Sequence, residues 1–113
     1  MTYVEELVAA LAPVGLPCAQ GQYMGEAQTY LVFNYVATPT YGADDVPQYV
    51  RIAWMVHLFA PPDTDPTPYQ AAVVQAIGAQ YATIPSREDA STKDDIHLVF
   101  EFESVVCGDA FSG

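Results

Sequence analysis

The sequence predicts an α+β fold: two helices packed on one face of a four-stranded, mostly antiparallel sheet, in the order α-β-β-β-α-β. Three observations carry it. Apolar residues recur at helical spacing in two stretches, Thr2 to Ala12 and Pro68 to Gln80. Runs dense in β-branched and aromatic residues occupy Thr29 to Ala37, Tyr49 to Phe59 and Ile96 to Val106. Segments rich in Pro, Gly, Asp and Ser separate these elements. The run YVRIAWMVHLF, Tyr49 to Phe59, is the one around which the others are arranged. Its alternation puts Val50, Ile52, Trp54, Val56 and Leu58 on a wholly apolar face that needs a cover. Tyr49, Arg51, Ala53, Met55, His57 and Phe59 fall on the opposite face, which is partly dry or destined for a partner chain.

In chain order, Thr2 and Glu5 form a capping box that starts the first helix. Val4, Leu7, Val8 and Leu11 make its apolar stripe, and Pro13 and Gly15 end it. Pro17 to Tyr23 reads as a short edge strand, followed by a loop at Met24 to Gln28. Thr29 to Ala37 is the next strand. Thr38 to Gln48, with Pro39, Pro47, Gly42, Asp44 and Asp45, is too long for a tight hairpin and is expected to project as an exposed arm. The prolines after Phe59 stop the central strand. Thr67 is the expected N-cap of the second helix, with Pro68 at its first position and Gln70 placed for a reciprocal bond. That helix offers a stripe of Ala72, Val73, Ala76 and Ile77, with Tyr69 and Tyr81 a turn away at either end. Ile84 to Asp95 reads as a flexible polar connector. In the final strand Ile96, Leu98, Phe100 and Phe102 face one way, and His97, Val99, Glu101 and Glu103 the other, wetter way. Residues 1–106 are expected to be one domain and 107–113 a flexible tail.

Fourteen acidic against three basic residues give a formal charge of −11. Arg51, Arg87 and Lys93 are too few to grip the phosphates of DNA or RNA, whereas an acidic surface repels them. Cys18 and Cys107 share no CxxC spacing and read as small buried thiols in preference to a disulfide. The N-terminal stretch has no basic run before its apolar residues. No segment reaches the length of a membrane span, so a soluble, cytoplasmic product without membrane contact is expected.

Chemistry-bearing patterns are scarce. No Gly-rich phosphate loop, HExxH, GxSxG or Cys–His pairing is present, so no catalytic residue, cofactor or metal ligand is assigned. His57 and Trp54 point to opposite faces, and a proton relay at His57 would need a carboxylate such as Glu101 across the sheet. Asp44, Asp45, Asp63 and Asp65 match no calcium loop and read as solvated turn residues, and Glu88, Asp89, Asp94 and Asp95 as a hydrated acidic loop. Eight tyrosines, several near edges and loops, suit either core or interface.

The succession TYLVFNYV (Thr29 to Val36), YGADDVPQYVRIAWMVHLF (Tyr41 to Phe59), a second helix at Pro68 to Gln80 and HLVFEFESV (His97 to Val105) resembles the tail terminator, or tail-completion, subunits of long-tailed bacteriophages and prophages. The resemblance spans residues 1–106 in element order. It implies a virion tail protein assembled in the host cytoplasm, not an enzyme. Such subunits form a ring, a hexamer, that caps the tail tube protein and joins it to a head-side connector while DNA passes without tight binding. Tyr41, Asp44, Asp45, Arg51, Glu88, Asp89, Asp94 and Asp95 are then the expected interface or lumen residues. The competing reading is a small dimeric ferredoxin-like enzyme or ligand-binding module, with a pocket between sheet and helices lined by Trp54, Met55, His57 and Phe100.

Overall fold

The computed structural model describes residues 2–41 and 47–107, and only the backbone of 41, 47 and 48. Its elements follow the order α1 (Tyr3–Leu11), β1 (Cys18–Gln20), β2 (Tyr30–Tyr41), β3 (Pro47–Ala60), α2 (Thr67–Tyr81), β4 (Ser86–Asp89) and β5 (Ile96–Cys107). The sheet has five strands in the order β1-β2-β3-β5-β4. β1 runs parallel to β2 and the other pairs are antiparallel, so the sheet is mixed where four mostly antiparallel strands were expected.

β3 is central, as its two-sided hydrophobicity requires. Its register with β2 and β5 lines up Phe33, Val56 and Phe100 in one row, and Tyr35, Trp54 and Phe102 in the next. Val50, Ile52, Trp54, Val56 and Leu58 are all buried, and join Leu7 and Leu11 of α1 and Val73, Ala76 and Ile77 of α2 in one core. Trp54 is its hub. The indole packs on Tyr3 of α1, on Phe33 and Tyr35 of β2 and on Phe102 of β5, and its Nε1–H donates to Ser104 Oγ at 2.8 Å.

The capping box at Thr2 is formed: Glu5 N–H donates to Thr2 Oγ1, and Thr2 N–H to Glu5 Oε1, each at 3.1 Å. α2 begins differently from the expectation. Thr67 lies inside the helix, and its N–H donates to Asp65 Oδ1 at 3.1 Å, so Asp65 takes the capping work assigned to Thr67. Gln70 reaches outward instead of back, its Oε1 accepting from Arg87 of β4 at 3.1 Å.

Two expected loops are largely strand. β2 continues through Pro39 to Tyr41 and β3 starts at Pro47, so the described part of the expected arm is strand, and residues 42–46 are outside the described residues. Proline is accepted there because Pro47 is the first residue of its strand and Pro39 lies on an edge. The connector after α2 contains β4, SRED, exposed throughout and paired with Leu98–Glu101. Its composition carries no burial signal, and only the neighbouring edge makes it a strand.

Candidate functional site

The helices leave the other face of the sheet open, and the open face holds the densest set of functional groups. Tyr30, Phe59 and His97 are directly opposed across β2, β3 and β5. Their rings form a row: Tyr30 and Phe59 stack at 5.3 Å between centroids, Phe59 and His97 at 4.2 Å. Tyr23, from the loop after β1, extends the row by stacking on Tyr30 at 4.4 Å. Two local features hold Tyr23 there. Ala27 N–H donates to its hydroxyl at 3.0 Å, and a side chain at Gly25 would collide with its ring, so only glycine lets the loop close over it.

His57, one pair further along β3, leans back toward this row. Its Nδ1 lies 2.8 Å from Nε2 of His97, with ring centroids 5.1 Å apart. One ring donates and the other accepts, so at least one of the two facing nitrogens must be bare. Burial, followed by the neighbouring His97, holds the His57 imidazole below its ordinary pKa, with Glu101 acting in the opposite sense. The pair and the aromatic row, with Gly21, Gln22, Val32 and Asn34, line a hollow of about 450 Å³. No group of three metal-ligating side chains gathers among the described residues. The imidazole pair beside a stacking surface suits recognition of a flat or cationic group.

No protein-family model and no curated protein matches the chain.

Four of the acidic residues expected at an interface are described, and they lie at one end of the sheet. Glu88 and Asp89 lie on β4, and Asp94 and Asp95 in the turn that leads into β5. Asp89 Oδ1 accepts from Ser91 N–H at 2.9 Å and Asp95 Oδ1 from Thr92 Oγ1–H at 2.9 Å, so both shape that turn. Asp44 and Asp45 are outside the described residues. The strand ends that flank them, Tyr41 and Pro47, stand at the opposite end of β3 from the Ala60–Ile96 pair beside Asp95. The thirteen steps of β3 between those ends measure about 40 Å. Arg51 is exposed on the open face, between Thr38 and Val105.

The pocket expected between sheet and helices does not exist as a unit. Trp54 and Phe100 are in the helix-side core, whereas Met55 and His57 are on the open face. Glu101 is likewise not the direct partner of His57. His97 is, because the antiparallel register sets it diagonally across from His57 on the same face. Cys107 is exposed at the end of β5, not buried as expected; both thiols are free, and partial burial pushes that of Cys18 up to about 11.

The two sheet edges are the other candidate surface. Leu31 N–H donates to Pro17 O, and Gly21 N–H to Phe33 O, each at 2.8 Å, so the odd-numbered residues of β2 turn their backbone groups outward. Ala90 N–H donates to His97 O at 2.8 Å, so odd-numbered residues of β5 do the same on the far edge. β1 covers β2 only over Leu31–Phe33, and β4 covers β5 only over Leu98–Glu101. Beyond those points no described strand pairs with either edge.

Proposed function

We propose that this chain is a structural subunit that completes itself by joining copies of itself into a closed ring, in the manner of the tail terminators it resembles. In that role it caps a tail tube, joins it to a head-side connector and turns over no substrate. The observation that carries this reading is the open sheet face. It bears exposed Val36 and Val105 and partly exposed Tyr30, Met55 and Phe59, while the opposite face is sealed by both helices. A head-to-tail ring covers such a face by setting it against a different surface of the next copy. The formal charge of −11 suits a ring whose passage DNA crosses without adhering. The Tyr41, Asp44 and Asp45 end of the β2–β3 hairpin is assigned to the axial partner or lumen, and the Glu88–Asp95 end to the opposite rim.

The test is native mass spectrometry and electron microscopy of the purified chain, alone and with tail tubes. Closed rings seated on tube ends are the expected result; a chain that neither forms rings nor binds tubes overturns the reading. A second reading, a ligand-binding module, is favoured by the hollow around His57 and His97. A small molecule that shifts both imidazole resonances in NMR, with the chain still monomeric, decides for it.

A further inference from the structure

The two free edges are not equivalent. On β2, outward-facing Tyr35 and Ala37 each present an N–H and a C=O, but the next outward residue is Pro39, which has no N–H to offer. β1 also ends beside Phe33 and narrows access from below. On β5 the outward residues beyond β4 are Glu103, Val105 and Cys107, and each presents both groups. The half of this edge nearer the β4 turn is already closed by a polar, charged strand of the kind that discourages pairing. The other half is blunted by neither proline nor lysine, and Val105 on it is 61 % exposed. Ile84, 86 % exposed, stands at the same margin, two residues before β4.

We propose that two copies of this chain pair through this edge, the segment Glu103–Cys107 of one lying antiparallel to the same segment of the other across a twofold axis. A second copy offers this same unpaired segment in antiparallel orientation, and a contact between identical segments is isologous. Centred on Val105, the register places Val105 opposite Val105 of the second copy, and Glu103 opposite its Cys107. All three are outward residues, so each pair exchanges both of its backbone hydrogen bonds. The two Glu103 carboxylates then stand two residue steps on either side of the axis, about 13 Å apart along the strand, and do not oppose each other. β4 and α2 of the two copies point away from the axis in opposite directions, since the antiparallel arrangement carries each copy's Leu98–Glu101 past the end of the other's β5. A parallel contact between β5 of one copy and β2 of the next fails on this point, because β1 and β4 would compete for the same gap. The inference does not depend on the ring: it describes a pairwise backbone contact along one strand edge that uses neither helix and, of the open face, only the margin at Glu103, Val105 and Cys107.

The experiment is sedimentation velocity across a concentration series on the wild-type chain and on Val105→Pro. Because the Val105 N–H points away from β3, proline there leaves the internal ladder intact and removes only an edge donor. Wild type is expected to pass from monomer to dimer as concentration rises, with Val105→Pro needing at least about tenfold more protein for the same dimer fraction. Its circular dichroism and melting temperature, measured where wild type is monomeric, should stay at wild-type values. As a positive readout, Val105→Cys in a Cys107→Ser background should oxidise to a covalent dimer and go no further, since directly paired Cα atoms at about 5.5 Å are within disulfide reach. A wild type that stays monomeric, a Val105→Pro chain that dimerises equally well, or a Val105→Cys chain that does not cross-link overturns the proposal. Rings on tail tubes that Val105→Pro leaves intact would retain the ring reading while this one falls; an edge dimer that forms no ring with tubes does the reverse.

Discussion

Ser104→Ala isolates the hydrogen bond at the centre of the core. Trp54 is 1 % exposed and its Nε1–H has Ser104 Oγ as acceptor at 2.8 Å. Removing the hydroxyl strands a donor inside the protein, which costs about 1–3 kcal/mol. The position in that range follows from the surroundings. A cleft of about 410 Å³, lined by Trp54 and Ser104 together with Glu6, Gln80 and Glu103, opens beside the bond. It is roomy and polar enough for a water to take over as acceptor, so the lower end applies, about 1–1.5 kcal/mol. For a domain of this size that is a fall in melting temperature of about 4–6 °C. Urea unfolding at pH 7 followed by circular dichroism reads the effect directly, and Ser104→Thr should retain most of the stability. In a Trp54→Phe background Ser104→Ala should cost clearly less, because the donor is gone. An unchanged urea midpoint for Ser104→Ala, or an equal cost in both backgrounds, would refute the reasoning.

Ala82→Gly should stabilise the fold by about 0.5–1 kcal/mol in the same assay, because Ala82 closes α2 in the left-handed region at φ 53°, where glycine avoids the Cβ conflict. The His57–His97 pair gives stability a pH dependence of definite sign. The folded pKa of His57 lies below its ordinary value of about 6.5, so as pH falls the unfolded chain takes up the proton first. Stability is therefore full above about pH 6.5 and declines below it, and His57→Phe should flatten that decline in melts between about pH 7 and 5. Glu5, Asp65 and Asp89, whose carboxyls are lowered by hydrogen bonds from Thr2, Thr67 and Ser91, add stability that is present above about pH 4 and lost only as pH falls below it, so the two windows separate.

Much of the fold was legible because burial imprints on sequence. Two-sided hydrophobicity marked β3 as central, and alternation assigned the faces of β3 and β5 to the correct sides. What stayed illegible depends on pairing. SRED becomes β4 through the edge of β5 and through the Arg87–Gln70 bond, neither of which leaves a local pattern. Pro39 was read as a stop because an edge position, where its missing N–H faces away from the ladder, is known only once the strand order is. The His57–His97 contact is of the same kind. Both residues were on the same open face by alternation, but the 2.8 Å approach follows from the register Phe59↔His97, which is set by the whole β3–β5 ladder. Shared charge type carries no information of this kind: that Glu88 and Asp89 lie on β4, and Asp94 and Asp95 in the turn before β5, follows from the strand pairing.

The exposed valines limit how strong any self-association can be. Folding gives no reason for Val36 and Val105 to stand 57 % and 61 % exposed on the open face, where neighbouring Thr38 and Glu103 show that polar residues are accommodated. Burying a whole valine side chain is worth about 1.5–3 kcal/mol, so covering the exposed part of one recovers about 1 kcal/mol. Two copies of Val105 across a twofold axis thus supply about 2 kcal/mol, and micromolar association needs about 8 kcal/mol after the loss of rotational and translational freedom. Side chains alone fall short. The remainder must come from the backbone ladder, whose bonds net about 0.5–1.5 kcal/mol each, and each copy works against the −11 charge of the other. The edge contact should therefore be weak and fast, weaker than micromolar, and should tighten as salt screens the repulsion over a Debye length of about 8 Å at physiological ionic strength. Dissociation that instead strengthens with added salt would mean that complementary charges hold the copies together, and would move the interface away from the acidic Glu103 margin.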